Sequence, residues 1–350
     1  MADQAERLNA FIELGKFFRE YSEYHEKPGA IPFKRDLGLK MQETIALAGH
    51  KNGWFTEENI IYALENWGEL LTAENLKDWL SSYEIESPDH KTVALIMAGN
   101  IPLVGFHDFL SVLLSGNRAL VKLSSNDAVL LPFISSFLIE QTPTLRNEIV
   151  FTEGKLEGFD VVIATGSDNT ARYFEHYFGH KPHIIRRNRN SVAVLTGKES
   201  KEQLTALGED IFRYYGLGCR SVSKIFVPKG YRFDTFFEAI FDFNPIMDLA
   251  KYANNYDYNK AVYLMSGFKI LENGFLMLKE DPSYASPIAT LFYEEYDSID
   301  ELEQYIDREK VQCIVANGLF EGGVGFGETQ KPGLRDYADG VDTVEFLLRT

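Results

Sequence analysis

Lys91-Thr92-Val93-Ala94-Leu95-Ile96-Met97-Ala98-Gly99-Asn100-Ile101-Pro102 is the stretch on which the fold turns. Residues 92–97 form a continuous apolar run ending in Ala-Gly, the pattern of a strand buried on both faces of a parallel sheet. Asn100 and Pro102 then open a helix expected over 102–114, stopped by Ser115-Gly116-Asn117. The alternation continues outward, with strands at 119–123, 161–164, 191–195 and 223–227 and helices at 127–140, 167–178 and 198–215. Later strands at 289–292 and 313–316 flank a helix at 299–306. Strands alternating with helices imply parallel sheets covered on both faces.

The N-terminal side has another texture. Leu8, Phe11, Ile12, Leu14, Phe17 and Phe18 recur at helical spacing, and Thr56-Glu57-Glu58 and Thr72-Ala73-Glu74 each place a capping hydroxyl before acids that favour a helix N-terminus. The segment 84–90, broken by Pro88, reads as a boundary. A helical segment is therefore expected over 1–88, α/β domains over 89–195 and 196–320, and a glycine-rich segment over 321–350. That last segment ends in the largely apolar run 344–348, read as a strand able to pair across subunits.

Composition narrows the function. The 350 residues carry 35 basic and 52 acidic side chains, a net charge of −17 that repels nucleic acid phosphate. Apolar residues at 45% and charged residues at 25% describe a folded globular chain. No apolar run approaches the roughly 20 residues that span a bilayer, and the first residues lack the order of a signal peptide, so a cytoplasmic protein is expected. Two cysteines are too few for a disulfide framework or a tetrahedral zinc site.

Several residues could carry chemistry. Cys219 sits in Gly216-Leu217-Gly218-Cys219-Arg220, where glycines allow a tight turn and Arg220 can favour the thiolate; it is either a nucleophile or a small buried hydrophobe. Cys313, within a strand-like run, reads as buried. Asn100, at a strand's carboxyl end, is an oxyanion donor or a helix N-cap. Lys122, ending a strand and followed by Ser124 and Ser125, either holds ribose or phosphate oxygens or is solvated surface. Thr165-Gly166-Ser167 opens a helix whose N–H groups suit a pyrophosphate, or is a hydroxyl cap. The basic run 183–190, with Arg186, Arg187 and Arg189, is a phosphate-binding feature or a solvated loop, and His176, His180 and His183 read as structural or surface residues rather than metal ligands. Neither G-x-G-x-x-G after the first strand nor a Walker A sequence is present.

In order and spacing, Asn52-Gly53-Trp54-Phe55-Thr56, Gly99-Asn100-Ile101-Pro102, Gly116-Asn117 with Val121-Lys122, Thr165-Gly166-Ser167, Gly216-Leu217-Gly218-Cys219 and Pro287-Ile288 resemble the acyl-CoA reductase branch of the aldehyde dehydrogenase superfamily, from about His50 onward. The resemblance implies an aldehyde dehydrogenase-like α/β fold, with a nucleotide-binding domain, a catalytic domain whose cysteine faces the cleft between them, and a homo-oligomer. It implies Cys219 as nucleophile and Asn100, with the Cys219 backbone N–H, as oxyanion hole. Lys122 would contact the adenosine ribose and Gly166-Ser167 the pyrophosphate. Where hydrolytic members carry Glu-Leu-Gly-Gly, this chain aligns Arg186-Arg187-Asn188-Arg189, so the acid that activates water is missing and a CoA thioester is the expected acyl partner. Ser125 replaces the acid that often binds the ribose hydroxyls, which favours NADPH, with NADH the alternative. The expected reaction is reduction of an acyl-CoA to an aldehyde. Its rivals are a CoA-independent aldehyde dehydrogenase and a non-catalytic nucleotide- or acyl-CoA-binding subunit.

Overall fold

The computed structural model describes residues 2–27, 35–85 and 90–350, leaving aside the side chains of Arg35 and Asp168. The described residues up to Arg187 together with Gly333–Thr350 make one compact unit, and Asn188–Pro332 make a second.

The first unit begins with four helices, α1 (Gln4–Glu26), α2 (Arg35–Lys51), α3 (Glu57–Leu70) and α4 (Ala73–Leu80). Asp3 and Glu6 form a capping box on α1, and Thr56 and Thr72 cap α3 and α4 as the sequence leads one to expect. Phe11, Phe17 and Phe18 are buried; Phe11 meets Phe106 and Phe109 edge-on, and Phe17 stacks on Phe137. The boundary expected at Pro88 lies outside the described residues.

The unit's sheet contains β1 (Thr92–Ile96), β2 (Arg118–Lys122), β3 (Ile149–Phe151), β4 (Val161–Thr165) and β5 (His183–Arg186) in the order β3-β2-β1-β4-β5, every pair parallel. The helices α5 (Phe106–Leu114), α6 (Leu130–Gln141) and α7 (Asp168–Phe178) connect the strands. The chain runs outward from β1 through β2 to β3 and then returns to the other side of β1, so the strand order reverses between β1 and β4. In open parallel sheets ligands bind at that crevice, beyond the carboxyl ends of the strands.

The second unit has six strands in the order β11-β6-β7-β10-β9-β8: β6 (Asn190–Val194), β7 (Val222–Pro228), β8 (Ile270–Glu272), β9 (Met277–Glu280), β10 (Thr290–Tyr296) and β11 (Val311–Val315). All pairs are parallel except β8 with β9. Its α-helices are α8 (Lys201–Phe212), α9 (Asp234–Ala239), α10 (Ala250–Met265) and α11 (Ile299–Tyr305).

Some expectations are corrected. The run 344–348 is not a strand: it lies in α12 (Thr343–Arg349), capped by Asp342 and packed on α5 with Val344 and Leu347 buried. Burying each of these two side chains contributes about 1.5–3 kcal/mol, more than an exposed strand there would gain. The helix expected from Pro102 starts only at Phe106, because the left-handed Leu103 (φ 58°) makes 101–105 a turn. Likewise α6 begins at Leu130 rather than Asp127, and α8 ends at Phe212. Among the described residues no helix is long and apolar enough to cross a membrane.

Candidate active site

Three loops leave the carboxyl ends of the adjacent strands β2, β1 and β4, and they carry every residue expected in the first unit's site. The central loop holds Asn100, which is exposed. It does not cap α5: the N-cap there is Gly105, with no side-chain cap bond, so the alternative reading of Asn100 falls away. The preceding Gly99 is buried, and a Cβ on it would come within 2.8 Å of Ser124 Cβ and Oγ. Only glycine lets this loop pass so close to the Ser124 turn. The buried Asn52 amide reaches the Gly99 carbonyl at 3.5 Å and accepts from the Trp54 N–H at 3.1 Å, which joins the N-terminal Asn-Gly-Trp motif to the loop.

On one side of this loop, Lys122 ends β2 and donates to the Gly154 carbonyl at 2.9 Å. Ser124, half-buried, accepts from the Asn126 N–H, and Ser125 is exposed. Asp127, the acid of this turn, points inward: it is 8% exposed and accepts the Leu103 N–H at 3.3 Å. Burial pushes its carboxyl up to about 6, with bonds from the Leu103 and Leu130 N–H groups opposing the shift. On the other side, Thr165 ends β4, Gly166 donates to the Arg186 carbonyl at 3.3 Å, and Ser167 caps α7 by accepting the Thr170 N–H. The hydroxyl cap is therefore realised. A Cβ on Gly166 would meet Thr170 and Phe174 at 3.0 Å, so the strand-to-helix turn packs closely on the first turns of α7.

The basic run 183–190 is a loop only over 187–189, between the strands β5 and β6, and its Arg186 is not available to a phosphate. It contains β5, and Arg186, 4% exposed, forms a buried ion pair with Asp108 at 2.7 Å. Thr343 Oγ1 and the Ala338 carbonyl also accept from Arg186, at 2.9 and 2.5 Å. Burial raises the Asp108 carboxyl, but Arg186 beside it wins and holds it below its ordinary value. Arg187 pairs with Glu175, and His176, His180 and His183 lie on the surface. Among the described residues no group of three or more His, Cys, Asp or Glu side chains could hold a metal ion.

In the second unit, α8 runs into a tight turn at Arg213–Gly216 where Tyr214 (φ 55°), Tyr215 (φ 58°) and Gly216 (φ 73°) are all left-handed. Non-glycine residues adopt this conformation at a cost of roughly 1–2 kcal/mol each, and such strain gathers at functional turns. The turn delivers Cys219 to an exposed position just before β7, whereas Cys313 is buried in β11. The buried-hydrophobe reading therefore holds for Cys313 and fails for Cys219. The Cys219 carbonyl accepts from Ser191 Oγ at 3.0 Å, and Arg220 Nη1 lies 3.4 Å from Cys313 Sγ. Below the turn, Asp210 of α8 is fully buried and accepts from Gly327 N–H, Thr329 N–H and Thr329 Oγ1 at 2.7–3.0 Å, tying the helix to the glycine-rich segment.

Sequence reasoning missed Ser191, Asp127 and Asp210. Asp210 carried a signal, a carboxylate beside the apolar stripe of Leu204, Leu207 and Ile211. Ser191 and Asp127 carried none, since a hydroxyl opening a strand and an acid before a helix are ordinary.

Comparison with solved structures places the fold among aldehyde dehydrogenases. The chain matches aldehyde dehydrogenase 21 of Physcomitrella patens in complex with succinate with a TM-score of 0.68 at 12% identity, covering 99% of this chain and 84% of that one. It matches the NAD+ complex of an aldehyde dehydrogenase from Bacillus cereus (TM-score 0.62, 14% identity, 90% and 72% covered) and betaine aldehyde dehydrogenase from Staphylococcus aureus with NAD+ (0.60, 12%, 92% and 72%). No curated protein sequence matches the chain. The family model of acyl-CoA reductase (LuxC) matches residues 39–240, more than half the chain, including Asn100 and Cys219. The chain therefore belongs to the acyl-CoA reductase (LuxC) family, an oxidoreductase branch with the aldehyde dehydrogenase fold.

Proposed function

We propose that the protein reduces an acyl-CoA thioester to an aldehyde with NADPH, through an acyl-enzyme on Cys219. The Cys219 thiolate attacks the thioester carbonyl, and Asn100 with the Cys219 backbone N–H steadies the oxyanion. The carbon–sulfur bond to CoA breaks, and CoA leaves as a thiolate that takes up a proton. When bound, a nicotinamide would supply a hydride to the acyl carbon. The resulting alkoxide expels the Cys219 sulfur, releasing the aldehyde and restoring the thiolate.

What supports the reading is the contrast between an exposed cysteine on a strained turn and Arg186, which stands where hydrolytic relatives carry their water-activating acid and is committed to a buried ion pair. Nothing at that position can act as base, so the acyl group is handed to hydride rather than to water. Lys122, Ser124, Ser125, Thr165, Gly166 and Ser167 are assigned to the nucleotide, at the crevice where the strand order reverses. Asp127 turns inward, so no carboxylate of that turn opposes a 2′-phosphate, which favours NADPH over NADH. The homo-oligomer implied by family resemblance belongs to the same proposal, without a 344–348 strand to build it.

The test is NADPH consumption with a chain-length series of acyl-CoAs. We expect Cys219→Ala to lose at least about 10³-fold in kcat while Cys313→Ala stays within about threefold. Full activity in Cys219→Ala, or aldehyde oxidation to free acid without CoA, would remove the proposal.

A further inference from the structure

Two irregularities of the six-stranded sheet fall on one residue. Between β6 and β7 the register passes from Ser191↔Val222 to Val192↔Lys224, leaving Ser223 extra. Between β6 and β11 it passes from Val311↔Asn190 to Ile314↔Val192, so that Gln312 and Cys313 together face Ser191. A ladder broken on both sides leaves backbone groups to be satisfied elsewhere, and bulges re-aim the side chain they enclose. The Ser191 hydroxyl takes up both tasks. It accepts the Cys313 N–H at 3.2 Å and donates to the Cys219 carbonyl at 3.0 Å, in a residue with no solvent exposure. Arg220 Nη1, 3.4 Å from Cys313 Sγ, ties the next residue to the same strand.

We propose that Ser191 is a positioning residue for the nucleophile: its hydroxyl, fixed by one accepted and one donated bond, holds the Cys219 carbonyl and so sets the direction of the peptide that carries the thiol. The inference rests on the reading of Cys219 as nucleophile. Attack on a thioester carbonyl is demanding in distance and angle, whereas alkylation by a small reagent depends chiefly on thiolate content and access. Loss of the hydroxyl frees the Cys219 carbonyl to swing without changing the thiol itself, so the two reactions separate.

The experiment uses the full chain and follows two rates at Cys219 by peptide mass mapping: acyl transfer from hexadecanoyl-CoA, and alkylation by iodoacetamide. In Ser191→Ala we expect acyl transfer to fall ten- to hundredfold, with alkylation changed less than threefold and KM for the thioester retained. Ser191→Cys, near-isosteric and a weaker donor, falls between, and serves if the alanine variant does not fold. An unchanged ratio of the two rates in whichever variant folds overturns the proposal, whether both stay level or both decline together. Wild-type protein that alkylates at Cys219 but takes no acyl mass overturns the nucleophile reading, and the positioning role with it.

Discussion

The carboxyl edge of the five-stranded sheet and the Cys219 turn of the six-stranded one present their groups by different means. At the first, topology does the work: three neighbouring parallel strands end side by side, and the loops after β1, β2 and β4 share an edge because the strand order reverses there. At the second, one turn is held against local preference, with three successive left-handed residues before Cys219 and two register breaks converging on Ser191, which bonds the Cys219 carbonyl. A site made by topology depends on the fold as a whole and tolerates ordinary residues. A site made by local strain depends on a few bonds that nothing else replaces.

That contrast can be broken at four places. Asp108→Asn strikes the interior of the first unit, leaving Arg186 buried without its counter-charge; we expect about 3–5 kcal/mol of lost stability at neutral pH, read by urea denaturation. Because the Asp108 carboxyl is held below its ordinary value in the folded protein, its contribution is present above the ordinary carboxylate range and fades as pH falls through the lowered value. Asn100→Ala should leave the melting temperature in place and lower kcat about 10²–10³-fold, as removal of an oxyanion donor does. A large loss of stability there instead would mean that the loop, and not the topology, is what holds the edge.

Asp127 tests the opposite sign. Its carboxyl is raised by burial to about 6, so the folded state binds its proton more tightly than the unfolded chain, and stability declines as pH rises from about 4 to about 6. Asp127→Asn should remove that slope and gain about 1–3 kcal/mol at neutral pH, in a pH series of denaturation midpoints. Gly216→Ala places a Cβ on the third left-handed residue of the Cys219 turn and should cost about 1 kcal/mol. If acyl transfer to Cys219 slows in the same variant, strain in the turn and reactivity are one property. An unaffected rate would mean that Ser191 holds the thiol without help from the turn.

The first unit was the more legible. Apolar runs such as 92–96 and caps such as Thr56 and Thr72 state their structure locally, and Asn100, Lys122 and Thr165-Gly166-Ser167 stand at strand ends that periodicity locates. Short or charged strands escaped: β5 is half basic, and β3 has three residues. The 344–348 run misled because Val344, Phe346, Leu347 and Leu348 suit strand and helix alike, and only packing on α5 decides between them. At the cysteine, glycines announced a turn, but the left-handed tyrosines did not show, since tyrosine has no local preference for that conformation, nor did the Ser191 bridge, which depends on register breaks between strands far apart in sequence.

One consequence concerns the order in which the molecule is made. Arg186 completes its bonds with Thr343 and Ala338, which the ribosome delivers only after all of Asn188–Pro332 has been synthesised. Until then the nascent first unit carries a guanidinium with part of its donors unanswered, so its last cooperative step waits on translation of the whole second unit, and a stalled chain ending near Pro332 would present that gap to chaperones and proteases.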